Sequence, residues 1–131
     1  MPYINKNYRT KRGAANTVIA GSSMGCLISL YGLLEYPKTF GAAGLFSGAY
    51  WIAPEVETEV ARLTPKLKAR VFLYAGDNES KSLMPQTQRI AATLRANRKN
   101  SVREMYQPGG RHEEVFWQQP FREFMLWQGK Q

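Results

Sequence analysis

The chain has 131 residues, of which 44% are hydrophobic and 12% aromatic, enough for one core-forming domain and too apolar for a disordered segment. Eighteen Lys+Arg oppose ten Asp+Glu, for a net charge of +8. A single cysteine, Cys26, excludes an internal disulfide framework, a single histidine, His112, excludes a site built from two imidazoles of one chain, and no apolar run approaches the ~20 residues of a membrane span.

Strands and helices alternate along the sequence. Thr17-Val18-Ile19-Ala20 is apolar and β-branched and closes at Gly21, which predicts a buried strand. Met24, Leu27, Ile28, Tyr31 and Leu34 follow at helical spacing, widened by Leu30 and Leu33, until Pro37 disfavours α geometry in the residue before it. Gly44-Leu45-Phe46-Ser47 is a second short strand, ended by Gly48. Pro54 marks the start of a helix with Val56, Val60 and Leu63 on one face, and Pro65 ends it. Residues 70–75, Arg-Val-Phe-Leu-Tyr-Ala, form the clearest strand, followed by Gly76. Leu83, Ile90, Ala91 and Leu94 share a face of a helix near 85–96. Residues 102–107 alternate apolar and charged, with Arg103 and Glu104 among them, as an edge strand does. Pro108-Gly109-Gly110 turns the chain toward a final helix carrying Phe121, Phe124 and Met125, with Pro120 near its start.

Four strands alternating with four helices predict an α/β protein with a parallel sheet, one domain over 1–131. Right-handed crossovers between neighbouring strands put successive helices on one sheet face. Only a strand-order reversal or the terminal helix then covers the other. The basic residues are spread along the chain: Arg9, Lys11 and Arg12, then Lys66, Lys68 and Arg70, then Arg95, Arg98 and Lys99. They read as solvated faces and helix ends, and with no groove-reading motif nucleic acid is not expected as a partner.

In open α/β sheets, sites form beyond the carboxyl ends of the strands. After the first strand stands Gly21-Ser22-Ser23-Met24-Gly25, a G-x-S-x-G. That chemistry needs a serine on a tight turn with its hydroxyl exposed, glycines two residues away so that neighbouring backbone passes closely, and a helix N-terminus aimed at developing negative charge. After the third strand, Gly76-Asp77-Asn78-Glu79-Ser80 brings carboxylates to the same end. After the fourth, Gly109-Gly110-Arg111-His112 brings the histidine. The order serine, acid, histidine matches the α/β-hydrolase arrangement. Trp51, Tyr50 and Met84, near strand ends, are candidates to line a substrate pocket, with ordinary packing as the alternative for each. Trp117, Phe121, Phe124 and Trp127 read mostly as core.

Residues 17–25, Thr-Val-Ile-Ala-Gly-Ser-Ser-Met-Gly, resemble the nucleophile elbow of the Putative esterase family of α/β-hydrolases, which includes enterochelin-esterase-like and esterase D-like enzymes. Tyr3-Ile4 with Tyr8, Phe46-Ser47-Gly48 with Trp51, residues 74–80 with Met84, and residues 109–112 with Trp117 resemble the family's other segments, in order. The resemblance implies Ser23 as nucleophile, His112 as general base and Glu79, three residues past Gly76, as the acid, with Asp77 as the fallback. It implies the Met24 N–H as one oxyanion donor, and a serine carboxylesterase acting through an acyl-enzyme without metal or organic cofactor. Cys26 stands where the family has a second glycine, and packing in the first helical turn is its expected role.

The resemblance begins near the middle of the family's domain. It implies a sheet truncated to about four βα units, without the early strands and the loop carrying a second oxyanion donor. Such a half-sheet, a three-layer sandwich with an open edge at 17–20, is expected to form a homodimer or higher oligomer. The alternative function is a non-catalytic binding or oligomerisation module. The N-terminus, Met1-Pro2-Tyr3-Ile4, has no signal-peptide core, an absence that says little about compartment; the compartment stays open, with the cytoplasm favoured.

Overall fold

The computed structural model describes residues 1–130. Four parallel strands lie side by side in sequence order: β1 (Val18–Ser22), β2 (Ala42–Phe46), β3 (Arg70–Gly76) and β4 (Ser101–Gln107). Their register is unbroken, with Val18 beside Ala42, Ala42 beside Arg70 and Arg70 beside Ser101. The helices are α1 (Pro2–Asn7), α2 (Met24–Glu35), α3 (Val56–Leu63), α4 (Leu83–Ala96) and α5 (Glu114–Gln128), joined by 3-10 turns at Ala14–Asn16, Tyr50–Ile52 and Thr64–Lys66.

The apolar runs that predicted central strands are buried on both faces. All five residues of β2 are buried, and so are six of the seven in β3. A strand sandwiched between two layers has no polar side to show, so its sequence is continuous rather than alternating. β1 and β4 are the edges, and over the first four residues of each, exposed and half-buried positions alternate.

With no order reversal, α2, α3 and α4 pack on one face, as the crossover rule requires. Leu30, Leu33, Val60, Ile90 and Leu94 meet Leu45, Val71 and Leu73 there. The terminal helix α5 covers the other face over β2 and β3, where Phe124 is buried among Phe46, Phe72 and Tyr74. Gly44 makes room for it: a Cβ at that position would stand 2.9 Å from the Phe124 ring. Over β1 this second face stays bare. Val18 is 40% exposed and Ala20 is exposed. Between β1 and α5 runs a groove of about 310 Å³, lined by Ala20, Gly21, Ser22, Phe46, Trp117 and Phe121, among others.

Several boundaries differ from the sequence reading. β1 runs on through Gly21 and Ser22, and β2 begins two residues before Gly44. α3 starts at Val56, beyond Pro54. α4 starts at Leu83, and Pro85 falls in its first turn, where an amide proton has no helical partner to lose. α5 starts at Glu114, so Pro120 lies in its interior and removes one backbone hydrogen bond there. Phe121, read as core, is 48% exposed.

Candidate active site

Everything at this site hangs on the junction between β1 and α2. Ser23 is the single residue between them, with φ 54° and ψ −117°. A side chain rarely adopts that left-handed backbone, and strain of about 1–3 kcal/mol survives only where surroundings enforce it. Here the Ser23 N–H donates to the Phe46 carbonyl at 2.9 Å, and the Ser23 carbonyl accepts the Ala49 N–H at 3.1 Å. The end of β2 thus clamps the turn from both sides.

The two motif glycines differ in what they do. A Cβ on Gly21 would lie 2.5 Å from the carbonyl carbon and oxygen of Gly25, an impossible approach. A Cβ on Gly25 would meet nothing within 4 Å. The tight passage is therefore required at Gly21 alone, which amends the symmetrical reading of the motif.

Ser23, His112 and Glu79, far apart in sequence, converge at the carboxyl edge of the sheet. Ser23 Oγ lies 2.8 Å from His112 Nε2. His112 Nδ1 lies 3.3 Å from Glu79 Oε1. That second contact is within ion-pair distance but lacks the alignment of a formed hydrogen bond, and Oε1 is buried with no other partner. Catalytic hydrogen bonds without substrate are often long and tighten when the complex forms. Glu79's other oxygen, Oε2, accepts the Gly76 N–H at 3.0 Å, and the side chain is 1% exposed, so the carboxylate is fixed in place.

Asp77, the fallback acid, is turned elsewhere. Its Oδ1 accepts the Gly109 N–H at 2.6 Å, pinning the histidine loop to the acid loop. Gly76 and Gly110 press together there, with a Cβ on Gly76 reaching 2.3 Å from the Gly110 carbonyl oxygen.

Met24 opens α2, and the N–H of a first-turn residue has no partner within its helix, so it is available to an incoming anion. Trp51 is 58% exposed and its ring stands 5.8 Å from the imidazole. Tyr50 is corrected: it is 1% exposed, with its hydroxyl 3.4 Å from Cys26 Sγ in the core, not in a pocket. In the 3-10 turn there, successive side chains point about 120° apart, so Tyr50 enters the core while Trp51 faces solvent. Met84 is half-buried against the main core. Cys26 is fully buried, and burial pushes its thiol from an ordinary 9.0 up to about 12. A thiol held protonated in this way is no nucleophile at neutral pH.

Trp117, read as core, is a feature the sequence reading undervalued. Its ring meets the imidazole edge-on at 5.2 Å, and its indole N–H donates to Ser47 Oγ at 2.9 Å. Its spacing of five residues from the histidine was the available signal. Among the described residues, no group of three His, Cys, Asp or Glu side chains is placed to hold a metal ion.

Parallel strands in consecutive order, helices on both faces and a serine on a strand–helix elbow at the carboxyl edge define an α/β-hydrolase fold. The chain belongs to the family described as Putative esterase, which matches residues 1–127. It is 32% identical over 112 residues to the iron(III) enterobactin esterase of Escherichia coli (strain K12), covering 79% of this chain and 27% of that protein. It is 37% identical over 82 residues to Uncharacterized protein YbbA of Bacillus subtilis (strain 168), covering 62% of this chain and 32% of the relative. Among solved structures, the enterobactin esterase FES from Shigella flexneri superposes with a TM-score of 0.77 at 25% identity, over 99% of this chain and 35% of that one. The chain thus spans about a third or less of the length of these curated relatives.

Proposed function

We propose that this chain carries the catalytic centre of a serine carboxylesterase acting on small-molecule esters. The observation that carries the reading is the 2.8 Å contact between Ser23 Oγ and His112 Nε2, groups 89 residues apart in sequence. Family membership and the similarity to a protein named as an esterase support the reaction class.

The chemistry follows from the roles the geometry offers. His112 Nε2 takes the Ser23 proton as Oγ attacks the acyl carbon, and Glu79 steadies the imidazolium from the Nδ1 side. The Met24 N–H, at the positive end of α2, donates to the developing oxyanion. The imidazolium then gives its proton to the departing alcohol, leaving an acyl-Ser23 ester. Water, deprotonated by His112, hydrolyses that ester and restores the serine. Exposed Trp51 flanks the substrate's path.

The bare side of β1 favours association as well. A second copy pairing along this open edge would extend the sheet and cover the apolar groove.

Ser23→Ala should abolish p-nitrophenyl acetate hydrolysis, and a fluorophosphonate should label the unaltered protein at Ser23. Activity surviving in Ser23→Ala removes the elbow from the chemistry. A folded protein that resists the probe is a binding or oligomerisation module instead.

A further inference from the structure

Only two non-glycine residues among those described take a left-handed backbone: Ser23, at φ 54°, and Ser47, at φ 47°. Strain of this kind marks functional positions more often than ordinary packing. Ser23 has its account above. Ser47 follows β2 directly, is fully buried, and is held by its own N–H, which donates to the Tyr74 carbonyl at 2.9 Å. A glycine would take this backbone without strain, so the side chain there needs a reason.

The reason lies across the sheet edge. Ser47 Oγ accepts the Trp117 indole N–H at 2.9 Å, and the Trp117 ring meets the His112 imidazole at 5.2 Å, with the planes 88° apart. His112 itself lies in a loop outside any helix or strand, with an exposed backbone neighbourhood. Its carboxylate contact, at 3.3 Å, is longer than its 2.8 Å contact with Ser23 Oγ, so a packing contact on the ring adds to what holds it. Pro120 removes a backbone hydrogen bond from α5 just beyond Trp117, and the indole–hydroxyl bond gives that turn a side-chain tie to the sheet.

We infer that Ser47 is a positioning residue: through the Trp117 indole it sets the orientation of the His112 imidazole toward Ser23. This rests on the hydrolase reading for its consequence in catalysis, though not for its effect on the imidazole. The strain at Ser47 has a compensating use, because it aims a buried hydroxyl at the indole that meets the imidazole at 5.2 Å. A misplacement of order 1 Å costs up to about 10²-fold in rate, so losing this tie is expected to cost roughly tenfold.

Ser47→Gly separates positioning from folding, because glycine suits the backbone while removing the hydroxyl. Trp117→Phe keeps an aromatic ring and removes the donor. Each should lower kcat roughly tenfold with KM nearly unchanged and the melting temperature held, and the double variant should lose no more than either single one. His112 is the only histidine, so the ¹⁵N signals of its ring can be read without ambiguity. In the unaltered protein they should report one dominant tautomer, with the proton on Nδ1. Ser47→Gly should move them toward the average of both, a change far larger than a ring-current effect.

Ser47→Gly with unaltered kcat and unaltered imidazole signals would overturn the inference, as would additive losses in the double variant. If the unaltered protein fails to react with a fluorophosphonate, the hydrolase reading falls. The tautomer signals then decide the positioning role on their own.

Discussion

Two acids stand two residues apart after β3, yet the fold gives them separate tasks. Glu79 is buried, with one oxygen bonded to the Gly76 N–H and the other facing the imidazole. Asp77 is exposed and ties the loop to Gly109. Glu79→Gln keeps the shape and removes the charge that steadies the imidazolium. It should lower kcat by roughly 10⁴-fold, the scale of replacing a triad's orienting carboxylate by an amide. Asp77→Asn should cost less than about tenfold, since an amide oxygen still accepts the Gly109 N–H. Parallel kinetics of the two variants check this, and the reverse ranking would make Asp77 the acid.

The nearby choice between Tyr50 and Trp51 shows what sequence does not resolve at this scale. Both are aromatic, both follow a strand, and only the phase of a three-residue turn decides which one faces solvent. No periodicity can be read from so short a turn. The same limit hid Ser47, because a positive φ at serine leaves no mark in the sequence.

The elbow between β1 and α2 carries the sharpest prediction about an element. Gly21→Ala places a methyl 2.5 Å from Gly25 backbone and must spread the strand–helix junction that holds Ser23. Stability should fall and activity should be largely lost. Gly25→Ala meets open space in the first turn of a helix, where alanine is the better former by up to about 1 kcal/mol. That variant should melt no lower than the parent. Thermal melts of the pair test the asymmetry, and equal destabilisation would mean both glycines are needed for close passage.

Elements were legible where burial dictated the residue pattern. β2 and β3 lie between two layers, so their apolar runs could be nothing else, and the alternation of β4 matched an edge. The start of α5 was not legible, because Pro120 suggests a helix beginning and the charged residues before it suggest a loop. Tertiary packing of Phe124 and the Trp117–Ser47 bond hold those turns in place, and neither is a local preference. The elbow and the histidine loop were visible as motifs, since their glycines and order are local; their meeting in space required the parallel order of the strands.

At the scale of the whole molecule, the charge is less remarkable than the sheet's outline. Positive charge on the helices is answered by surface pairs such as Arg62 with Glu59, Arg89 with Glu57 and Arg95 with Glu104, which exposure to solvent keeps weak. The bare flank of β1 has no such answer. If a second copy covers it, light scattering over a wide concentration range should give a dimer or larger, and Val18→Lys, placing a charge on the exposed edge, should return it to a monomer. A constant monomer in the parent would leave the flank open in solution.

The strictly consecutive strand order has a temporal consequence. Each strand's sheet neighbour is also its neighbour along the chain, so assembly can proceed one βα unit at a time, with short loops to close. The serine arrives with the first unit, the carboxylate with the third, and the imidazole after the last. A chain arrested before the loop that follows β4 therefore displays the hydroxyl without anything to deprotonate it, and hydrolysis becomes a report that the histidine loop has docked.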